Sequence, residues 1–369
     1  MQLSIQVDRA DSAGARITIS GTSGKPLLNE EVRELDSDAA LAAVFEWLEK
    51  AGYLRNLAAA GHRIVHGGAQ FTEPQRVTPK FLTSLETLMP LDPDHLPAAI
   101  AGIRFISQRL PQLPQVACFD TAFHRSLPAV ARMYAIPRRL YNDGVKRYGF
   151  HGLSYEFVMQ ELRKLEGALA DGRVIIAHLG SGASMAAVRA GKSLDTSMGF
   201  TPVEGLVMGT RSGDVDPGAL IYLLGQGKLS AEELGEQLNK RSGLLGISGS
   251  SADMRDLLEK SSTDRHAAEA IDLFCYRAKK YIGAYCAVLG GLDLLVFTGG
   301  IGEHAAPVRE KICAGLEFLG IELDPARNKS NAPLISRTGA RAKVRVIETN
   351  EDLMIARHVR AVLGWAQPS

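Results

Sequence analysis

The residues best suited to chemistry in this sequence are histidines and an arginine set among glycines. His151 stands between two glycines in Tyr148-Gly-Phe-His-Gly152, where an imidazole can reach a reacting group. Arg211 lies between Gly209 and Gly213 in Met208-Gly-Thr-Arg-Ser-Gly-Asp-Val-Asp-Pro217. Its guanidinium has two readings: a loop arginine paired with Asp214 or Asp216, or a planar fork on carboxylate or phosphoryl oxygens, which lysine cannot reproduce. Asp120 follows the apolar run Val116–Phe119 and so ends a strand, where α/β proteins place ligand-binding side chains; it can equally cap the helix that follows. His62, His66, His95, His124, His151, His178 and His304 all lie in or beside turn-rich polar segments. Of the nine histidines, His124, His266 and His358 read as structural. His62 and His66 resemble a zinc pair in spacing, but no third ligand accompanies them.

Glycine is the second chemical signal. It supplies 37 of 369 residues, above the usual ~7%, and eight of them fall between Gly180 and Gly218. His178-Leu-Gly-Ser-Gly182 and Thr298-Gly-Gly-Ile-Gly302 each follow an apolar run, and in both the glycines let a ligand approach backbone N–H groups that favour anions. One such loop is weak evidence against a plain tight turn; several together point to phosphate. Net charge is +1, so no broad field draws nucleic acid or an anionic membrane, and any bound anion is held locally.

The elements that must position these residues are strands and helices in alternation. Leu3–Val7 and Arg16–Ile19 read as a hairpin, and Leu41, Val44, Phe45 and Leu48 mark a helix over Asp38–Lys50. Residues 80–135 read as helices broken by prolines, with a strand at Val116–Phe119. A helix runs from Ser154 to about Leu165, followed by strands at Arg173–His178 and Ser184–Arg189 and a turn at Ala190-Gly191-Lys192. A strand at Leu292–Phe297 leads into a helix expected from Glu303 to about Leu319. This is an α/β pattern without repeats, and the length suits about two domains. Four widely spaced cysteines fit a reducing cytoplasm. Charges among residues 1–20 exclude a signal-peptide core, and Asp293 and glycines interrupt the most apolar stretch, so a soluble protein that is not exported is expected.

The segments His62-Arg-Ile-Val-His-Gly-Gly68, Phe119-Asp-Thr-Ala-Phe-His124, Arg147-Tyr-Gly-Phe-His-Gly152, His178-Leu-Gly-Ser-Gly-Ala-Ser184, Asp195–Pro217, Phe297–Glu303 and Thr349-Asn-Glu-Asp-Leu-Met-Ile-Ala-Arg357 closely resemble the acetate/propionate kinase family, from about residue 60 to the C-terminus. The resemblance implies two ribonuclease-H-like domains of the actin, sugar-kinase and Hsp70 type around a central cleft. The acyl-substrate domain would be 1–150, completed by a helix at 352–369, and the nucleotide domain 151–351. It implies reversible, Mg2+-dependent, in-line phosphoryl transfer from ATP to acetate, with Mn2+ as a substitute ion, in a cytoplasmic homodimer that binds neither nucleic acid nor membrane. Propionate or another short-chain acid is the alternative substrate. Asp120, His151 and Arg211 would be catalytic, with Asp120 as the family's essential carboxylate. Arg63, Val65, His95, Phe150 and Pro202 would bind the acyl substrate. His178, Leu179, Gly180, Ser181 and Gly182, Asp253, Met254 and Arg255, and Gly300, Ile301, Gly302, Glu303 and His304 would contact ATP, and Glu351 would hold Mg2+.

Some positions depart from the family. Its opening strand and Asn-x-Gly-Ser-Ser-Ser-type loop are not found, and the approach to the His62 motif is shorter than in typical members. The first strand is therefore expected either to be encoded upstream of Met1 or to be lost, which would leave a catalytically impaired nucleotide-binding homologue. Ser181 stands for an asparagine, Tyr155 for a histidine and His304 for an asparagine. Asp94 falls where an aliphatic acyl-pocket residue is expected, so it either turns away or marks a different substrate.

Overall fold

The computed structural model describes residues 3–8, 15–21, 26–32 and 37–366. They divide into two compact units: residues 1–64, 74–117 and 358–369 make one, and 65–73 with 118–357 make the other. Segment 118–150 lies in the second unit, together with the short stretch 65–73.

The second unit is built on a five-stranded sheet in the order Lys343–Val346, Leu294–Thr298, Arg173–Leu179, Ala183–Arg189, Lys192–Thr196. The first three strands are parallel and the last two join by antiparallel pairing. Both faces are covered, so the strands read as nearly continuous apolar runs. The period of two sorts them: Ile175, Ala177, Leu179, Met185, Ala187, Leu295 and Phe297 enter one core, Val174, Ile176, Ala186, Val188, Leu294 and Val296 the other. Helix Gly152–Glu166 brings Tyr155, Val158, Met159 and Leu162, spaced three and four apart, onto the second face. Helix Arg265–Leu289 covers the first with Ala267, Ala270, Ile271, Phe274, Ala278 and Ile282. That long helix has no counterpart in the sequence reading. No helix among the described residues is long and apolar enough to cross a membrane.

Register fixes which ends meet. Phe297 lies opposite Ala177 and Thr298 opposite His178, so the two glycine turns leave the same edge of the sheet. Ligands of open α/β sheets bind at the carboxyl ends of the strands. Asp293 pins this register: one carboxylate oxygen accepts the Arg173 N–H at 2.7 Å and its Nε–H at 3.0 Å, and the other meets Nη2 at 2.5 Å. The turn after Arg189 uses left-handed Ala190 and Gly191, as expected.

The helix expected from Glu303 to Leu319 is instead three pieces: Gly299–His304, Ala306–Cys313 and a 3-10 turn at Glu317–Leu319. Ala305 leaves helical geometry, with ψ 78°, and Pro307 offers no N–H for a helix running through it. The first piece also begins earlier than expected, at the glycines themselves.

In the first unit the hairpin is found as Leu3–Asp8 against Ala15–Gly21, and a third antiparallel strand, Pro26–Val32, extends it. The hairpin turn itself lies outside the described residues. Ile17 and Ile19 face Ala40 and Val44 of helix Ser37–Lys50. A second small sheet joins Ala60–Ile64, Gln115–Phe119 and Gln75–Arg76. Beside it His62 Nε2 lies 2.8 Å from the Gln115 side-chain oxygen. The helix expected over 352–369 is Glu351–Val362, and residues 367–369 lie outside the description.

Candidate active site

His151 opens helix Gly152–Glu166 with φ 57°, a left-handed conformation rare for a residue with a Cβ. The turn is held on both sides. Gly152 N–H donates to the Asp120 carbonyl at 2.9 Å. A methyl at Gly152 would lie 2.1 Å from that oxygen, which is why glycine follows His151. His124 lies with Nε2 3.0 Å from the Phe150 carbonyl and Nδ1 2.8 Å from Ser193 Oγ, and complete burial lowers its pKa to about 4. It is the structural histidine the sequence suggests.

The His151 ring stacks on His178, with centroids 4.2 Å apart. Each ring has its Nδ1 2.8 Å from a buried serine hydroxyl, Ser184 for His151 and Ser154 for His178. Gly182 lies against the other end of His151: a Cβ there would be 3.3 Å from Nε2 and 3.6 Å from Arg211 Nη1. Two nitrogens that favour oxyanions therefore border one small space over the glycine. Arg211 Nη1 also donates to the Pro202 carbonyl at 3.3 Å. The two aspartates beyond it are engaged elsewhere. Asp214 accepts from Gly205 N–H and the Tyr281 hydroxyl, and Asp216 caps helix Pro217–Gly225 through Gly218 N–H. Neither pairs with Arg211, so the paired-loop reading fails on its own candidates.

Next to this space lies a cavity of about 580 Å³ lined by Gly180, Ser181, Asp253, Met254, Arg255, Gly300, Ile301 and His304, together with Ala252, Leu258, Ala305 and Pro307. That volume suits a ligand of nucleotide size, with apolar walls and a few polar groups. Asp253 caps helix Met254–Lys260 and pairs with Arg255, which holds its carboxyl below the usual range. Leu179 is buried in the core, so its backbone is the part that borders the turn. Glu303 is only 8% exposed and faces inward. It accepts from Gly299 N–H at 2.7 Å, Thr349 N–H at 3.1 Å and Thr298 Oγ1 at 3.3 Å, tying the glycine turn to the segment before Glu351.

Behind the turn, Arg309 is fully buried and uses all its N–H groups. Nη1 donates to the Gly302 and Glu303 carbonyls, Nε to Asn328 Oδ1, and Nη2 to the Asn328 carbonyl and Asn331 Oδ1. It satisfies the orphan carbonyls of a helix too short to satisfy its own.

Asp120 is 1% exposed, and the N-cap position of the 3-10 turn after it is held by Thr121, without a side-chain cap. Phe150 and Pro202 are buried, Val65 is half-buried, and Phe150 and Val65 pack on the same core. Glu351 opens helix Glu351–Val362. Arg63 and His95 belong to the other unit: Arg63 is exposed on strand Ala60–Ile64, and His95 Nδ1 lies 2.6 Å from the buried Asp92 carboxylate. Asp94 is exposed. Ser154, Ser184 and Arg309 carry the site without having been singled out. Their signal is polarity out of place: Ser184 in an otherwise apolar strand, Ser154 on a helix's buried face, and Arg309 between Val308 and Ile312.

The model of the acetokinase family matches residues 2–357. The acetate kinase of Rhodopseudomonas palustris is 50% identical over 325 residues, covering 87% of this chain and 81% of that protein. The acetate kinase of Treponema denticola is 44% identical over 367 residues, covering 97% and 92%. The crystal structure of Porphyromonas gingivalis acetate kinase superposes with a TM-score of 0.89 at 39% identity, over 98% of this chain and 93% of that one. That of a propionate kinase from Francisella tularensis gives 0.91 at 37% identity, over 96% and 92%. The α/β fold is thus that of the solved acetate and propionate kinases, and the chain belongs to the acetokinase family.

Proposed function

We propose that the protein is an ATP-dependent kinase of carboxylates that converts acetate and ATP to acetyl phosphate and ADP, reversibly and by direct in-line transfer. The observation that carries this is the convergence of His151 Nε2 and Arg211 Nη1 over Gly182, beside a glycine-lined cavity of nucleotide size. An acetate oxygen attacks the γ-phosphorus as the bond to the ADP oxygen breaks. Both reactants are anions, so the barrier is set by how well the transferring group's oxygens are neutralised. Arg211 offers a fork to those oxygens and His151 a ring nitrogen, while Asp120 is the buried carboxylate at the same helix start. Gly180–Gly182 and Gly300–Gly302 would receive the phosphates on backbone N–H groups, and Met254 and Ile301 would flank the base. Arg63 and His95 are assigned to the acyl carboxylate, and Val65, Phe150 and Pro202 to its methyl group. In this division acyl binding falls to 1–150 with the C-terminal helix, Pro202 excepted, and nucleotide binding to 151–351.

No group of three or more metal-ligating side chains occurs among the described residues. A Mg2+ that arrives on nucleotide phosphates needs only one or two carboxylates from protein, because phosphate and water oxygens complete its octahedron. Glu351, at a helix start tied to the glycine turn through Thr349 and Glu303, fits that limited role, and the ion would supply charge neutralisation. We assign the enzyme to the cytoplasm, in keeping with four free, buried cysteines. We also assign it to a homodimer, because helix Pro217–Gly225 buries none of its residues and leaves Ile221 68% and Tyr222 56% exposed.

Hydroxylamine trapping of acyl phosphate tests the reaction. Hydroxamate that forms only with acetate, ATP and Mg2+ together supports it; nucleotide binding without product would overturn it. Propionate in the same assay compares the second substrate.

A further inference from the structure

The hydrogen-bond chain behind His151 contains one more member than the site needs for packing. Ser184 Oγ lies 2.8 Å from His151 Nδ1 and also meets the Tyr155 hydroxyl in a short contact. Ser184 and Tyr155 are both fully buried, and Ser184 is the one hydrogen-bond partner of the phenol among the described residues. Each hydroxyl has a single proton to give. Burial raises the phenol far above its ordinary pKa, so Tyr155 keeps its proton and must donate it. The only acceptor it reaches is Ser184. The Ser184 proton then has one remaining destination, the lone pair of His151 Nδ1.

The opposite polarity fails at its far end. If Nδ1 carried a proton and donated to Ser184, three protons would share two contacts: either the Ser184 hydrogen or the phenolic hydrogen would be stranded in the core, a configuration that native interiors avoid. A doubly protonated ring meets the same obstacle. The charged and titratable neighbours of His151 on this side agree: Arg211 Nη1 borders the same space, and His178 is stacked on the ring with its own Nδ1 against Ser154 Oγ. Just past strand Gln115–Phe119, Asp120 presents its carbonyl to Gly152.

We propose that Tyr155 and Ser184 are positioning residues that fix His151 as its Nε2–H tautomer, a neutral hydrogen-bond donor aimed into the space over Gly182. Which ring nitrogen of a histidine bears the proton is set by the partner of the other one. The tautomer follows from the buried chain alone; its use, donation to an oxygen of the transferring phosphoryl group, rests on the kinase reading above. His151 then acts beside Arg211 by direction rather than by charge.

The test is histidine-15N NMR on the full-length, ligand-free protein between pH 6 and 8, with the His151 signal identified by its loss in His151→Gln. The expected pattern is Nε2 protonated and Nδ1 bare across that range. In Tyr155→Phe the Ser184 hydroxyl is free to accept as well as donate, so His151 shows mixed protonation, and kcat falls about tenfold with KM for acetate and ATP nearly unchanged. A wild-type ring protonated at Nδ1, or at both nitrogens, overturns the proposal, as does a Tyr155→Phe protein with the wild-type His151 pattern. The wild-type spectrum decides the tautomer even if the variant does not fold. If the wild type shows the Nε2–H pattern yet makes no acyl phosphate, the kinase reading fails and the tautomer stands.

Discussion

Replacing Gly182 by alanine probes the center of the site with one methyl group. The Gly182 backbone lies outside the left-handed region, so alanine is tolerated by the chain itself. The new Cβ would stand 3.3 Å from His151 Nε2, 3.5 Å from its Cε1 and 3.6 Å from Arg211 Nη1. An oxygen that accepts from both nitrogens needs about 2.7–3.0 Å to each. Carbon and oxygen resist approach much inside about 3.5 Å, so the methyl and that oxygen compete for one place. Losing a donor aimed at transition-state charge costs about 100- to 1000-fold in kcat, or roughly 3–4 kcal/mol, and here two donors are obstructed. Stability moves the other way or not at all, since a compatible Gly→Ala change gains about 0.4–1 kcal/mol through the unfolded chain. Hydroxamate trapping gives kcat and KM, and a thermal melt gives the control. A Gly182→Ala enzyme that melts like the wild type and turns over within a few-fold of it would refute the convergence on which the proposed chemistry stands.

Arg211→Lys keeps the charge but not the fork, and is expected to retain the melting temperature while losing most turnover, since an arginine in this role is worth about 10³–10⁵ in rate; wild-type-like turnover would remove Arg211 from the transition state. Asp293→Asn should cost about 1 kcal/mol at pH 7, the upper end for a partly exposed pair. The Arg173 hydrogen bond holds the Asp293 carboxyl below its usual range, so this stability is complete above the unfolded pKa of about 3.9 and is lost as pH falls through the lower folded value. The gap between denaturant melts of the two proteins should therefore begin to narrow near pH 4 and close only as pH falls through the lower folded value; a gap that stays at its neutral-pH size down to the acid end would contradict the ion pair. Ile221→Glu combined with Tyr222→Glu should convert a dimer to a monomer of unchanged secondary structure, read by light scattering; a mass unaffected by the change would place the interface elsewhere.

The sheet of the second unit was legible because its strands are short, apolar and punctuated by glycine: Arg173–Leu179 and Ala183–Arg189 were found within a residue or two. Residue type and spacing alone also picked out His151 and Arg211. Illegible were the things decided by distant contacts. Nothing near Ala305 announces that a helix must stop there, except a proline that could as well have started one. Segment 65–73 packs with residues far along the chain, a pairing that no local pattern encodes. The inward turn of the Glu303 side chain is equally invisible to local pattern, because the backbone donors it serves, Gly299 N–H and Thr349 N–H, include one 46 residues away. Arg211 is ambiguous in one dimension, since both aspartates lie within reach of it in sequence; only in three dimensions does their engagement by Gly205, Tyr281 and Gly218 become visible.

The chain is nearly neutral overall, but its charge is not spread evenly in depth. Arg309 places a whole cation in the interior, one short helix behind the glycine turn, compensated by carbonyl and amide dipoles and by no carboxylate. Mobile ions cannot enter to screen it, whereas the field of surface lysines fades over about 10 Å at 0.1 M salt. A polyanion bound at the turn would feel that buried charge, offset in part by the buried Glu303 carboxylate, with less screening than a surface charge receives. Nucleotide affinity should therefore decline only gently as salt is raised, which suits an enzyme that works amid a changing pool of small ions.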